Sequence, residues 1–300
     1  TDGNTPSTWV IGLITGKTKN LGVMGWPIAH SLSPILQNAA IEQAGIDYAY
    51  IAVPVRKADL GAAVRGLSAL NFTGWNVTIP HKSAIIAHLD AIDADAKAIG
   101  AVNTVQNEDG KLTGYNTDVE GFLQSLFLAG FDPKGKRTVI LGAGGAARAV
   151  CYGLLKQGAA EVVIAVRNHE KGQAFLDSFA VFAKDFSVKI QVVDFECAAF
   201  RSAEKEADLV VNTTPLGMTP NVGEMPPVDF DLLKEDAFCY DIIYTPAKTK
   251  FLEEAAGRGH RILNGEMMLV LQGAAAFRRW TGEEPDILLM QSALHEALER

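Results

Sequence analysis

A glycine-rich turn near the middle of the chain constrains the fold more than any other stretch. The apolar run Thr138–Leu141 predicts a short buried strand, and an alanine-rich helix is predicted to follow the turn. Gly142, Gly144 and Ala147 fit Gly-x-Gly-x-x-Gly/Ala, the pattern that places a pyrophosphate on a helix N-terminus. Such turns also occur for packing reasons alone. The strand before and the helix after favour dinucleotide binding here.

The second half of the chain alternates strands with helices. This pattern predicts a doubly wound parallel sheet of the Rossmann type, with the nucleotide site at its first turn. The predicted strands are Thr138–Leu141, Glu161–Val166, Lys189–Val193, Asp208–Asn212, Phe238–Ile243 and Arg261–Leu263, and two helices follow, Gly265–Trp280 and Asp286–Leu298.

The first half predicts a separate small α/β domain, because 300 residues suggest about two domains and the turn lies mid-chain. Ser33 is predicted to N-cap a helix that Gly45 ends, and Pro80-His81-Lys82 to open another. The other predicted elements are strands Leu21–Met24, Asp47–Val55 and Gly74–Ile79, helices Ala58–Leu70, Ala94–Ile99 and Val119–Ala129, and a hairpin of Gly100–Gln106 with Lys111–Tyr115. We expect a disordered leader at 1–8, a first domain at 9–120 and a nucleotide domain at 121–264.

Charge and cysteine content indicate which binding partners and which compartment to expect. The net charge of -8 argues against nucleic-acid and anionic-membrane partners. Cys151, Cys197 and Cys239 are scattered and odd in number, which predicts buried free thiols in a reducing, cytoplasmic compartment. No run of about 18 apolar residues predicts a membrane span. The histidines and cysteines lack metal-site spacing, so we expect no metal.

The end of the second strand of the nucleotide sheet bears on which nicotinamide cofactor binds. An acid there would hold both ribose hydroxyls and repel a 2′-phosphate. This chain has Val166 at that position, followed by Arg167, with Lys171 about one helical turn on. We expect the two cations to bind a phosphate, which favours NADP over NAD. The alternative is that both are solvated surface charges that pair with Glu170.

Lys82 and Asp118 are the candidate acid/base pair. A ketone reduction needs a proton donor at the developing alkoxide, and a lysine beside a carboxylate can hold that proton. The structural alternatives are a surface lysine and a helix N-cap, and for the aspartate alone the cap is favoured. Six uncharged residues on tight turns could bind a carboxylate and hydroxyls, or serve only as caps and turn formers: Ser31, Ser33, Asn76, Thr78, Asn103 and Thr104.

Taken together, eight ordered blocks over about residues 20–285 resemble the shikimate dehydrogenase family, which includes quinate/shikimate dehydrogenases. They are Pro27–Pro34, Asn76–Lys82, Gly100–Thr104, Asn116–Asp118, Gly142–Ala147, Asn212–Met218, Tyr240–Tyr244 and Gly265–Gln272. The resemblance implies NADP-dependent, reversible reduction of 3-dehydroshikimate to shikimate in aromatic amino-acid biosynthesis. It also implies that the helices of 265–300 return to the first domain, with the active site in an interdomain cleft that closes by a hinge.

The resemblance further assigns roles that spacing could not. Lys82 and Asp118 match the catalytic pair, while Ser31 and Ser33 match the carboxylate-binding serines. Asn76, Thr78, Asn103 and Gln272 match hydroxyl-binding positions, and Tyr244 completes the substrate set beside the nicotinamide. The implied cofactor-binding set is Gly142, Ala143, Gly144, Gly145, Ala146, Ala147, Arg167, Asn168, Lys171, Asn212, Thr213, Thr214, Ile243, Gly265 and Met268.

Two departures from the family pattern leave alternatives open. Val166 replaces the asparagine of the family's Asn-Arg-Thr, which weakens discrimination between NADP and NAD. Phenylalanine is common where His81 stands, so the role of His81 is open. The alternatives are a quinate/shikimate dehydrogenase that uses NAD, and a non-catalytic NADP-binding sensor. We expect a monomer or a homodimer.

Overall fold

A computed structural model of the chain describes residues 14–299, in which two six-stranded sheets form. The predicted leader at 1–8 lies outside the described residues. The predicted α/β class is confirmed. None of the helices within 14–299 is long and apolar enough to cross a bilayer. The three cysteines are free thiols; Cys151 and Cys239 are buried as predicted, whereas Cys197 is only partly buried.

The first sheet has six strands: β1 Lys19–Gly25, β2 Tyr48–Pro54, β3 Gly74–Val77, β4 Ala91–Ile92, β5 Thr104–Glu108 and β6 Lys111–Tyr115; the helices of this half are α1 Ser33–Ala44, α2 Leu60–Ala69 and α3 Ala94–Ile99. The strands lie in the order β2-β1-β3-β5-β6-β4. Strands β1, β2 and β3 are parallel, and β5 runs antiparallel to both β3 and β6, so the predicted hairpin is confirmed.

Two local predictions in this half are wrong. Ser33 is the first residue of α1 rather than its cap, which is Leu32, and no side chain caps the helix. Pro80-His81-Lys82 opens no α-helix; turns lead instead into a five-residue 3-10 helix at Ala84–His88. The reason for the second error is tertiary. The carbonyl oxygen of Lys82 accepts a hydrogen bond from the amide of Val102 at 2.7 Å. Because Val102 lies just before β5, this carbonyl bonds to the segment that enters the next strand and not to an amide of a helix.

The second sheet also has six strands: β7 Arg137–Leu141, β8 Glu161–Val166, β9 Lys189–Asp194, β10 Leu209–Asn212, β11 Phe238–Asp241 and β12 Arg261–Leu263; the helices of this half are α4 Asp118–Leu128, α5 Gly145–Lys156, α6 His169–Asp185, α7 Ala198–Glu206 and α8 Lys250–Gly257. This sheet is entirely parallel, in the order β12-β11-β10-β7-β8-β9. Read from β9 to β12 and counted along this half of the chain, that is the 3-2-1-4-5-6 order of the Rossmann fold, as predicted.

The last two helices, α9 Glu266–Thr281 and α10 Ile287–Leu298, pack on the first sheet. Phe277 and Met290 are fully buried in one cluster with Leu21 of β1 and Leu36 of α1. Burial of each such side chain contributes about 1.5–3 kcal/mol. Trp280 also donates from Nε1 to the carbonyl of Val105 at 2.9 Å. The end of the chain therefore completes the core of its beginning.

Candidate active site

Polar side chains from four strand ends meet at one edge of the first sheet. The chain leaves β1, β3 and β6 at this edge, and it enters β5 there because β5 is antiparallel to its neighbours. Asn76 is the last residue but one of β3, Asn103 precedes β5, and Asp118 follows β6 by three residues. The sheet thus assembles residues that lie far apart in sequence.

Lys82 and Asp118 form an ion pair at this edge, with Nζ 2.5 Å from Oδ2. Asn103 donates from Nδ2 to the other carboxylate oxygen, Oδ1, at 2.9 Å. Asp118 is the first residue of α4, and the cap position belongs to Thr117, with no side-chain cap bond. The interpretation of Asp118 as an N-cap is therefore wrong. The lysine side chain is 20% exposed, so its ammonium stays within reach of water.

A chain of buried hydrogen bonds extends from this pair into the sheet. The amide of Thr117 donates to Asn103 Oδ1 at 2.7 Å, which fixes the orientation of the Asn103 carboxamide. Asn76 donates from Nδ2 to the Asn103 carbonyl and to Thr104 Oγ1, both at 3.1 Å. Tyr50 donates from its hydroxyl to Asn76 Oδ1 at 2.7 Å. In a low-dielectric interior such a fully satisfied network is rigid.

The remaining predicted substrate residues surround this network. Ser31 and Ser33 are partly buried, and Ser31 Oγ accepts from the amide of Ser33 at 3.4 Å. Thr78 is partly buried in the loop after β3. Gln272, on α9, places Oε1 3.5 Å from Asn103 Nδ2. Burial holds the pKa of the Tyr50 phenol well above its ordinary value.

Two residues at this edge were not predicted as site residues. Tyr50 is fully buried between Ser33 and Asn76, and in the sequence it belongs to an apolar strand with no sign of a polar role. His81, left without a role, is buried and pairs its Nε2 with the carbonyl of Val55 at 2.7 Å. That bond ties the loop carrying Lys82 to the end of β2.

The glycine turn lies where the second sheet reverses its strand order, between β7 and β10. Gly142 has φ of 103°, and a Cβ there would lie 3.0 Å from Thr214 Cγ2 and 3.2 Å from Thr213 Oγ1. Gly144 precedes α5 in an extended conformation, and a Cβ there would meet no described atom within 4 Å. The first amides of α5 have no partner within the helix. This open space at a helix N-terminus fits a pyrophosphate. Ala143, Gly145 and Ala146 are partly buried around it, and Ala147 is buried against the sheet.

Arg167, Asn168 and Lys171 lie in the loop after β8 and the first turn of α6, where all three are exposed. Asn168 caps α6 by accepting from the amide of Lys171 at 2.9 Å. Within residues 14–299, neither cation forms an ion pair with Glu170. The last residue of β8 is the buried Val166 and not an acid. The loop after β8 thus exposes two cations, Arg167 and Lys171.

A buried carboxylate orders the loops after β10 and β11. Asp241 accepts from Thr249 Oγ1 at 2.6 Å, from the amide of Ile243 at 3.0 Å and from Asn212 Nδ2 at 3.1 Å. Asn212 Oδ1 in turn accepts from Thr214 Oγ1 at 2.7 Å. The polar atoms of the Asn212 side chain therefore bond to Asp241 and Thr214 and hold the two loops together. Burial raises the pKa of Asp241 to about 6.

The rest of the predicted cofactor set lies beside that carboxylate. Ile243 is buried and its carbonyl accepts from the amide of Gly265 at 3.0 Å, which joins the loop after β11 to the start of α9. Tyr244 is partly buried, and burial raises the pKa of its phenol. Met268 is buried on the first turn of α9.

The glycine turn and the lysine–aspartate pair face each other. A Cβ at Gly145, the first residue of α5, would lie 3.9 Å from Cδ of Lys82. Further along, Gly153 of α5 packs on Val119 and Leu123 of α4. The glycine turn of one sheet therefore lies beside the ion pair of the other.

Sequence comparisons agree with this geometry. Three family models match in order: the shikimate dehydrogenase substrate binding domain at 23–105, shikimate/quinate 5-dehydrogenase at 127–215 and the shikimate 5'-dehydrogenase C-terminal domain at 265–295. A protein named shikimate dehydrogenase (NADP(+)) from Moorella thermoacetica is 47% identical over 285 residues, 95% of each chain. The chain belongs to the shikimate dehydrogenase family.

Solved members of the family share the whole fold. A shikimate dehydrogenase crystallised with NADP+ is 40% identical, with a TM-score of 0.89 over 97% of this chain and 99% of that one. Shikimate 5-dehydrogenase from Listeria monocytogenes, solved with shikimate and NAD, is 37% identical, with a TM-score of 0.87 over 94% and 98%. Family membership thus covers both sheets and the C-terminal helices.

Proposed function

We propose that the protein is an NADP-dependent oxidoreductase that interconverts 3-dehydroshikimate and shikimate in aromatic amino-acid biosynthesis. Its relatives carry this activity in their names. The observation that carries the proposal is the Lys82–Asp118 pair at 2.5 Å, set against the first residue of the nucleotide-binding helix.

Lys82 acts as the proton donor and acceptor. In the direction of reduction the substrate carbonyl gains a hydride at carbon and a proton at oxygen. NADP(H), when bound, would supply or accept that hydride. Lys82 donates the proton from Nζ to the carbonyl oxygen, and in the reverse direction it accepts the proton of the hydroxyl. Asp118 orients Nζ through Oδ2, because Asn103 occupies Oδ1.

The substrate is held by uncharged groups around that pair. Ser31 and Ser33 bind the carboxylate, and Asn76, Thr78, Asn103 and Gln272 bind the hydroxyls, with Tyr244 on the nicotinamide side. Both N–H groups of Asn76 are already used, by the Asn103 carbonyl and by Thr104. Asn76 therefore offers the substrate a hydrogen-bond acceptor, which suits a hydroxyl and disfavours a second carbonyl.

The cofactor is held along the second sheet. The amides of Ala143–Ala147 bind the pyrophosphate, whereas the amide of Gly142 donates to the carbonyl of Ala165 at 2.8 Å and Gly142 supplies the tight turn. Arg167 and Lys171 bind the 2′-phosphate, in a loop that Asn168 holds by capping α6. Thr213, Thr214, Ile243, Gly265 and Met268 line the nicotinamide end. In this scheme residues 14–120 with 265–299 form the substrate domain and 121–264 the NADP domain; the remainder of the predicted bounds, 9–13 and 300, lies outside the described residues.

The test is a steady-state assay of shikimate oxidation with NADP+ by the purified chain. We expect turnover that depends on both compounds. If the protein binds NADP+ yet turns over no shikimate, the oxidoreductase proposal fails and the non-catalytic sensor replaces it.

A second candidate is a quinate/shikimate dehydrogenase that uses NAD. The Val166 that replaces the family's asparagine favours it, because one contact to the phosphate is lost. Parallel assays of shikimate and quinate against NADP+ and NAD+ separate the two. We expect the highest kcat/KM for shikimate with NADP+. The predictions of a monomer or homodimer and of a cytoplasmic location are tested by light scattering and by cell fractionation.

A further inference from the structure

Three side chains spaced four residues apart along α5 contact the short helix α3 of the other sheet. Arg148 donates from Nε to the carbonyl of Ile99, the last residue of α3. Tyr152 donates from its hydroxyl to Oδ1 of Asp95 at 2.8 Å, and Lys156 donates to Oδ2 at 2.8 Å. Residues at this spacing share one helix face. We call these five residues the α3–α5 contact.

Arg148 is unusual within this contact. Its guanidinium is partly buried, and no carboxylate in the described part of the chain pairs with it. Its charge is met instead by the C-terminal carbonyl of α3 and by two aromatic faces, with Cζ 5.1 Å from the ring of Phe179 and 5.6 Å from that of Phe175. A cation is favoured at a helix C-terminus and over an aromatic face. Removal of a cation from water costs free energy, and these partners offset that cost only where the guanidinium contacts them. The guanidinium is therefore held at this position.

The α3–α5 contact joins the two halves of the active site. At one end, α5 begins at Gly145, which lies against Lys82. At the other end, α3 leads through Gly100 to Asn103, which holds Asp118. Gly100 has φ of +69°, and a Cβ there would lie 3.0 Å from Nη2 of Arg148, so the chain leaves room for the guanidinium at this point.

We infer that Arg148 is a positioning residue, which with Tyr152 and Lys156 sets the distance between the nucleotide-binding turn and the Lys82–Asp118 pair. The inference rests on the proposed function. Arg148 acts through α3 and α5 and need not contact a ligand. Hydride transfer requires close approach of donor and acceptor, and a misplacement of about 1 Å can lower its rate by about 100-fold.

The test compares Arg148→Met, which keeps the aliphatic stem, with Arg148→Lys, which keeps a donor and the charge. Arg137→Met is the matched control, because Arg137 pairs with Glu206 at the surface of the same sheet. We expect Arg148→Met to lower kcat by about 10-fold or more, with much smaller changes in KM for shikimate and NADP+. The primary deuterium isotope effect on kcat should rise, because hydride transfer becomes rate-limiting. Arg148→Lys should recover part of the loss.

A kcat and an isotope effect equal to those of the wild type and of Arg137→Met would overturn the inference, as would a loss confined to thermal stability. Amide hydrogen exchange gives a readout that needs no turnover. Arg148→Met and Tyr152→Phe should speed exchange over residues 94–103 and leave β7 unchanged. If the wild type fails to oxidise shikimate, the proposed function fails. Amide hydrogen exchange over residues 94–103 then decides the inference by itself: faster exchange in the two variants supports the positioning role, and unchanged exchange overturns it.

Discussion

The hydroxyl of Tyr50 donates to Oδ1 of Asn76 at 2.7 Å, and this bond decides which way the Asn76 carboxamide faces. With both N–H groups of Asn76 directed at Asn103 and Thr104, rotation of the amide would break three bonds at once. Tyr50 therefore orients Asn76, one of the residues proposed to bind the substrate, without being part of any recognisable motif.

Replacement of Tyr50 by phenylalanine should weaken substrate binding selectively. The ring stays, while the loss of one buried hydrogen bond is expected to raise KM for shikimate about 10-fold, with kcat and KM for NADP+ little changed. Steady-state kinetics check this. Tyr48→Phe, on the same strand, is the control. A KM equal to that of the wild type would show that Asn76 keeps its orientation without Tyr50.

The removal of Lys82 should affect chemistry more than binding. We expect Lys82→Ala to lower kcat by about 100-fold or more with little change in substrate affinity, because general acid–base catalysis is lost. Single-turnover kinetics and a shikimate titration measure the two effects. Lys111→Ala, an exposed lysine at the start of β6, is the control. Unchanged turnover in Lys82→Ala would contradict the acid/base role.

Asp118→Ala should also reduce turnover. It removes the partner of Lys82 and leaves the Nδ2 of Asn103 without one of its acceptors, so stability should fall by about 1–3 kcal/mol as well. Activity and urea unfolding are measured on the same preparation. An effect on stability alone, with normal kcat, would leave Asp118 a purely structural residue.

Arg167 should set cofactor preference. A charge-assisted hydrogen bond to phosphate is worth about 1.5–3 kcal/mol, so Arg167→Ala is expected to raise KM for NADP+ by about 10- to 100-fold and to leave KM for NAD+ unchanged. Assays with both cofactors check this against Lys184→Ala, an exposed lysine at the far end of α6. Equal losses with the two cofactors would place Arg167 away from the 2′-phosphate.

The stability of the nucleotide domain should depend on Asp241. Burial raises the pKa of this carboxyl from 3.8 to about 6, so the folded state holds its proton more tightly than the unfolded chain does. Protonated Asp241 therefore makes its full contribution to the free energy of unfolding at pH values below the ordinary pKa. That contribution falls, by ~3 kcal/mol at most, as the pH rises to about 6.

The difference in unfolding free energy between Asp241→Asn and the wild type should accordingly grow in favour of the variant as the pH rises through this range. Urea titrations below and above the raised pKa measure it. Asp109→Asn, in the exposed β5–β6 turn, is the control. A difference independent of pH would mean that Asp241 does not titrate in that window.

Local patterns predicted much of the architecture. All six strands of the second sheet and the hairpin of the first were predicted within a few residues, because buried strands and glycine turns leave short-range signals. Residue type and position pointed to Lys82, Asp118 and the polar residues on the turns as candidates, while the family resemblance assigned their roles. Position in the sequence alone favoured Asp118 as a helix cap, and the structure contradicts this because Thr117 holds the cap position and Asp118 pairs with Lys82.

The sequence by itself determined that a strand, the glycine turn Gly142–Ala147 and a helix follow one another, since each is specified by neighbours in the chain. Only the tertiary structure decided that Lys82 stays out of an α-helix, that Tyr50 orients Asn76, and that Arg148 joins α5 to α3. Each of these depends on a partner at least 20 residues away, as with Tyr50 and Asn76, which are separated by 26 positions. Such contacts form only when the sheet brings distant strand ends to one edge, and no local pattern encodes that.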